Sequence, residues 1–176
     1  MVYGQPTLAQ GGTSLTTIPQ IALVGCGYWG KNLCRNFHAL GALSSVVDAT
    51  EKGQITARSI ALDTQITDSL QDVLRNSQIH GIALATPAET HAELAIQVMQ
   101  AGKDILVEKP MALTLGDAEK MKEVAEETGR ILMVGHLLEY HSAVLKLREM
   151  IDSGELGEIN YIYSNRLNFG KVRTEE

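Results

Sequence analysis

Apolar residues follow two alternating rhythms along this chain. Unbroken apolar runs at "IALVGCG" (21–27), "LSSVVDA" (43–49), "IHGIALAT" (79–86), "DILVEK" (104–109) and "RILMVGH" (130–136) read as strands. Helical patterns separate them. Leu33, Phe37 and Leu40 recur at helical spacing within 28–40. Residues 52–62 and 67–76 are further helix candidates, the second opening on a Thr/Asp cap signal. Residues 88–102 form a helix closed by Gly102, and 114–129 one with a threonine cap and a terminal glycine. Strands alternating with helices imply βαβ units and a parallel sheet. Continuous rather than alternating apolar strands imply that both sheet faces are covered. The expectation is an α/β fold, a doubly wound parallel sheet over residues 20–138.

The pattern changes near residue 139. An amphipathic helix is expected at 142–157. The segment 158–170 then alternates, with Ile159, Tyr161, Tyr163, Leu167 and Phe169 on odd positions and mostly polar residues on even ones. Period two with one polar face predicts a strand of a largely antiparallel sheet. Residues 139–176 are therefore expected to be the first helix and strand of an incomplete second α+β domain. Residues 1–19, rich in Gly, Thr, Ser and Gln, read as a flexible leader.

Composition narrows the function classes. The chain has 176 residues, 44% hydrophobic and 20% charged, and a net charge of −6. That balance argues against nucleic acid or an anionic membrane as partner, since both usually need a clustered basic face. No apolar run is long enough for a membrane span. Cys26 and Cys34 form no CxxC pair and read as reduced structural thiols of a cytoplasmic protein.

Three motifs carry candidate chemistry. Gly25-Cys26-Gly27-Tyr28-Trp29-Gly30 follows a strand and opens a helix, with Asp48 ending the next strand. That context marks a dinucleotide site, with Gly25 for the tight turn, Gly27 for approach of a pyrophosphate and Gly30 for helix–strand packing. Asp48 would accept hydrogen bonds from the adenosine ribose and repel a 2′-phosphate. No arginine follows it directly, so NAD is expected over NADP. Second, Thr86 and Pro87 end a strand at the ligand crevice of such a sheet and would line the cofactor. His91, one turn on, touches the cofactor or serves packing; the spacing leaves both open. Third, Glu108-Lys109-Pro110 ends another strand. Lys109 would project over the crevice and hydrogen-bond a substrate hydroxyl, with partial burial helping it accept a proton and Glu108 acting in the opposite direction. A surface ion pair before a turn is the plainer alternative. His136, Glu139 and His141 have no convincing metal spacing, and no metal is expected.

The segments "VGCGYWGKNL", "ATPAETHAELAIQVMQAGKDILVEKPMAL" and "GHLLEYHSAVLKLREMIDSGELGEINYIYSNRLNFGKVR" together resemble the Gfo/Idh/MocA oxidoreductases over residues 20–173. The resemblance implies that Lys109 is the catalytic-site lysine and that Glu108 helps hold the nicotinamide side. It also implies a second domain that supplies substrate contacts and a homo-oligomer interface. The tail "YIYSNRLNFGKVR" is most similar to members that oxidise UDP-N-acetylglucosamine or its uronic acid at C3, which makes a nucleotide sugar the expected substrate. Arg166, Asn168 and Tyr140 are then candidate substrate contacts. Such members carry a further segment with an active-site histidine, which has no counterpart in these 176 residues. Two outcomes are thus expected from the sequence: an NAD-dependent sugar dehydrogenase represented by its cofactor half, or an NAD-binding module without turnover.

Overall fold

The computed structural model describes residues 18–165 and 167. They divide into two compact units between Gly135 and His136, whereas the sequence placed the boundary after residue 138.

The first unit is a six-stranded parallel sheet in the order β3-β2-β1-β4-β5-β6. Its strands are β1 (Gln20–Val24), β2 (Leu43–Val47), β3 (Gln65–Thr67), β4 (Ile79–Leu84), β5 (Asp104–Val107) and β6 (Leu132–Val134). The helices are α1 (Gly30–Ala39), α2 (Glu51–Ile60), α3 (Leu70–Arg75), α4 (His91–Gln100) and α5 (Leu115–Thr128). The chain order reverses between β1 and β4, which pair in parallel with Val24 beside Leu84. In such a sheet the ligand crevice opens at that reversal, beyond the strand carboxyl ends.

Two apolar clusters explain why the central strands are apolar on both faces. Ala22, Val24, Ile82, Leu84, Ile105 and Val107 pack with α3, α4 and α5 residues such as Val73, Val98, Met99 and Met121. Leu23, Val46 and Ala83 point the other way, onto Cys34 of α1 and Ala57 of α2. Burying each larger side chain contributes about 1.5–3 kcal/mol. Cys26 and Cys34 are free and buried in this second cluster. The Cys26 thiol, hydrogen-bonded to Cys34 and desolvated, is pushed well above the usual thiol range, which makes it an inert packing group.

Helix boundaries follow local chemistry. The hydroxyls of Thr50, Ser69 and Thr114 cap α2, α3 and α5 by accepting from the backbone N–H three residues on. Gly129, at φ 65°, closes α5 in the left-handed conformation that suits glycine. The expected helix at 88–102 divides into a 3-10 turn (Ala88–Thr90) and α4. The three-residue β3 was missed in the sequence, where residue 67 was read as a helix start. It exists because its backbone pairs with β2, Val47 beside Thr67.

Among the described residues one lysine is buried. Lys103 donates from Nζ to the carbonyls of Asn76 (2.7 Å) and Ile79 (2.8 Å), tying β5 to the α3–β4 connection. Burial lowers its pKa.

The second unit contains a 3-10 turn (Leu137–Tyr140) and α6 (Ser142–Asp152). The strand expected at 158–170 is not formed among the described residues: 158–165 have no regular structure. Alternation alone cannot make a strand, because its backbone groups need a partner strand. No described strand follows β6.

Candidate functional site

The glycine loop between β1 and α1 is shaped by contacts that exclude side chains. Gly25 has φ +90°, and a Cβ there would lie 2.8 Å from the Ala85 carbonyl oxygen. At Gly30 a Cβ would lie inside the Gly25 carbonyl. These two glycines weld the loop to β4 and to the helix start. Gly27 is the opposite case, with nothing within 4 Å of where a Cβ would stand. Its missing side chain leaves open space rather than relieving a clash. Trp29, the residue before α1, makes no side-chain cap, and the first turn carries no acid. The N-terminal N–H groups of α1 thus keep their partial positive charge uncompensated by side chains, as an anion site requires.

A cavity of about 460 Å³ opens at this place. Gly25, Gly27, Asp48, Thr86 and Pro87 all line it. The sequence had singled out each of these five. Thr50, Asp68, Ala85, Thr90 and Leu94 also line it and had not been singled out. Thr50 carried one signal, since it directly follows the strand read at 43–49, whereas Asp68 follows β3, which the sequence did not show.

Asp48 is buried and holds the loop together. Its Oδ2 accepts from the Cys26 N–H at 2.7 Å, and its Oδ1 from the Thr50 N–H (2.8 Å) and hydroxyl (2.7 Å). Burial pushes its pKa up, but the three donors outweigh this, so the carboxyl titrates below its usual range. Three of a carboxylate's four or so acceptor positions are thereby taken by the chain itself.

At the end of β4, the Thr90 hydroxyl donates to the Pro87 carbonyl (2.8 Å). The short Thr86–Thr90 hydroxyl contact, 2.7 Å, is therefore donated by Thr86. His91 does not line the cavity. It is buried, with Nδ1 2.8 Å from the Pro110 carbonyl oxygen and Nε2 2.9 Å from that of Thr86. Its place is beneath two crevice loops, one carrying Thr86 and the other Lys109. Sequence spacing left cofactor contact and packing equally open, and burial decides for the second.

The Glu108-Lys109 pair separates in space. Glu108 is buried, its Oε1 accepting from the indole N–H of Trp29 at 2.5 Å and its Oε2 from the Lys109 backbone N–H at 3.3 Å. A Cβ on Gly135 would lie 3.1 Å from that carboxyl group. Lys109 is exposed, so the expected partial burial is absent. Among the described residues its side chain forms no ion pair, and no surface salt bridge with Glu108 exists. The Lys109–Pro110 peptide bond is cis. The ammonium thus stands free at the carboxyl end of β5, next to β4, whose Leu84 carbonyl accepts the Glu108 N–H.

Tyr28 is 76% exposed beside Trp29, with the Lys31 ammonium 5.4 Å from its ring centre. Tyr140 is exposed in the second unit. Arg166 and Asn168 lie outside the described residues. No cluster of three or more His, Cys, Asp or Glu side chains able to hold a metal occurs among the described residues.

The residues present fit a dinucleotide. An open cradle at Gly27, an uncapped helix N-terminus and a seated carboxylate at the next strand end suit pyrophosphate and ribose, in that order.

Comparison with known proteins agrees. Residues 20–136 match the Gfo/Idh/MocA oxidoreductase family, NAD-binding Rossmann fold. The chain is 31% identical over 146 residues to 2,7-anhydro-N-acetylneuraminate hydratase of Mediterraneibacter gnavus, covering 82% of this chain and 38% of that protein. It is 28% identical over 175 residues to an NADP-dependent scyllo-inositol 2-dehydrogenase of Bacillus subtilis, covering 96% and 46%. The crystal structure of GenD2 from gentamicin A biosynthesis, in complex with NAD, superposes with a TM-score of 0.74 at 28% identity, covering 84% of this chain and 43% of that one. The chain thus spans less than half the length of these relatives. With its glycine loop, seated Asp48 and matched span, the chain belongs to the Gfo/Idh/MocA oxidoreductases and carries their NAD-binding Rossmann fold.

Proposed function

We propose that this chain is the cofactor-binding part of an NAD-dependent dehydrogenase that oxidises a secondary hydroxyl of a sugar or polyol. The observation that carries the proposal is the pairing of one dinucleotide cavity with one unpaired ammonium, Lys109, at the adjoining strand end. NAD, when bound, supplies the acceptor for the hydride leaving the carbinol carbon. The chain's own residues do the rest. Gly27 and the α1 N-terminus bind the pyrophosphate, and Asp48 faces the adenosine end. Lys109 donates a hydrogen bond to the substrate oxygen and stabilises its developing negative charge, while the hydroxyl proton passes to water as the carbonyl forms.

Within that class, the tail segment favours a nucleotide-linked amino sugar, oxidised at C3 of UDP-N-acetylglucosamine or its uronic acid. The scyllo-inositol dehydrogenase among the relatives favours a free polyol instead. A second reading has its own support: no sheet follows β6 among the described residues. On that reading the chain binds NAD and turns nothing over by itself. The free, buried cysteines support a cytoplasmic setting for either.

Calorimetric titration with NAD, followed by an NADH-formation assay against scyllo-inositol, UDP-N-acetylglucosamine and its uronic acid, separates these readings. Binding with turnover of one substrate supports the dehydrogenase and names its class. Binding without turnover supports the module. Absence of NAD binding removes both.

A further inference from the structure

Gly53 occupies the third position of α2, where glycine is a poorer helix former than alanine. The structure supplies a reason for it. A Cβ at residue 53 would lie 2.1 Å from both Cγ and Oδ2 of Asp48, and 2.3 Å from Oδ1. No side chain at 53 is compatible with the carboxylate where it stands. A side-chain end can usually swing aside, but this one is held by the Cys26 N–H, the Thr50 N–H and the Thr50 hydroxyl. Moving it gives up all three bonds and frees the glycine loop at Cys26.

The position of that carboxylate has a consequence for ligand choice. Asp48 and Asp68 both line the cavity, and no Lys, Arg or His among the described residues does. A dinucleotide whose adenosine ribose bears a phosphate would meet two carboxylates and no cation. We propose that Gly53 is a specificity-determining residue, which by lacking a side chain seats Asp48 where it favours a dinucleotide with an unmodified adenosine ribose over its 2′-phosphorylated form. Gly53 touches no ligand. It acts through Asp48, and the proposal rests on the NAD-binding reading above.

The test is a double-mutant cycle on the whole 176-residue chain: parent, Gly53→Ala, Asp48→Ala and both together. Melting temperature without ligand is measured first, then the affinity for NAD and for NADP by titration calorimetry. In the parent background Gly53→Ala lowers the melting temperature, although alanine is the better helix former. It weakens NAD by about tenfold or more and shrinks the NAD-over-NADP preference. In the Asp48→Ala background the same substitution raises the melting temperature or leaves it unchanged. A melting temperature raised in both backgrounds overturns the proposal, as does an unaltered NAD-over-NADP preference. A parent chain that binds neither dinucleotide overturns the cofactor reading, and the ligand-free melting cycle then still decides the coupling of Gly53 to Asp48.

Discussion

The indole N–H of Trp29 donates to the buried carboxylate of Glu108, joining the glycine loop after β1 to the strand end that delivers Lys109. Seventy-nine residues separate the two in sequence. Their bond lets the cofactor loop and the Lys109 turn be positioned together, because Glu108 also accepts from the Lys109 backbone N–H.

Removing this bond should be visible directly, since Trp29 is the chain's one tryptophan. Glu108→Ala is expected to shift its fluorescence toward that of a solvated indole. It should also lower stability by about 1–3 kcal/mol, as donors lose a buried charged acceptor. Glu108→Gln keeps an acceptor oxygen of the same reach and should fall between the two. Emission spectra and urea denaturation of the three proteins check the order.

Lys109 makes no side-chain bond to the described residues, so its loss should not disturb the fold. Lys109→Ala is expected to leave the urea midpoint and NAD affinity within a few-fold of the parent. In a full-length relative the matching substitution should lower turnover by about 10²–10³, the usual range for losing one donor to a developing oxyanion. Turnover that survives within a few-fold removes Lys109 from the proposed chemistry.

The seat of Asp48 predicts a pH dependence. Burial raises its pKa, the bonds from Cys26 and Thr50 lower it by more, and the net shift is downward from 3.8. A carboxyl group with a lowered folded-state pKa binds fewer protons folded than unfolded in the window between the two values. Its stabilisation is therefore fully present above the unfolded value and is lost as pH falls through the folded one. Asp48→Ala should flatten the fall in stability below about pH 4–5. Urea midpoints measured across that range, for parent and variant, give the comparison.

His91 sits between two carbonyl oxygens that belong to different crevice loops. His91→Phe keeps the volume and removes both ring nitrogens. It is expected to cost about 1–3 kcal/mol for the carbonyl that loses the ring's N–H donor. The Thr86 and Lys109 turns should loosen as well, read as faster amide hydrogen exchange at both. Unchanged exchange at the Lys109 turn would show that the contact to the Pro110 carbonyl holds nothing in place.

Much of the fold was written in local pattern. Continuous apolar runs such as "IALVG" and "GIALA" can only be buried on both faces, so a parallel sheet with helices on either side followed from them. The glycine loop was legible for the same kind of reason, since its spacing answers to a turn and a helix start within six residues. What failed depended on distant partners. The strand at 65–67 is too short to show a period and exists through its pairing with β2. The strand expected at 158–170 has a clear period, but among the described residues it has no partner strand, and 158–165 form no regular structure.

The same division runs through the site. Sequence by itself determined which residues stand at the strand carboxyl ends, Gly25, Asp48, Thr86 and Lys109 among them, because a strand's end and the turn after it are local events. Tertiary structure decided what those residues do. It turned Glu108 inward to Trp29 and left Lys109 exposed, although the two are neighbours in the chain. It buried His91 between two carbonyls and set Asp48 against Gly53. Each of those outcomes is a contact between segments that meet only when the sheet is assembled, and no local spacing encodes the direction in which a side chain will find its partner.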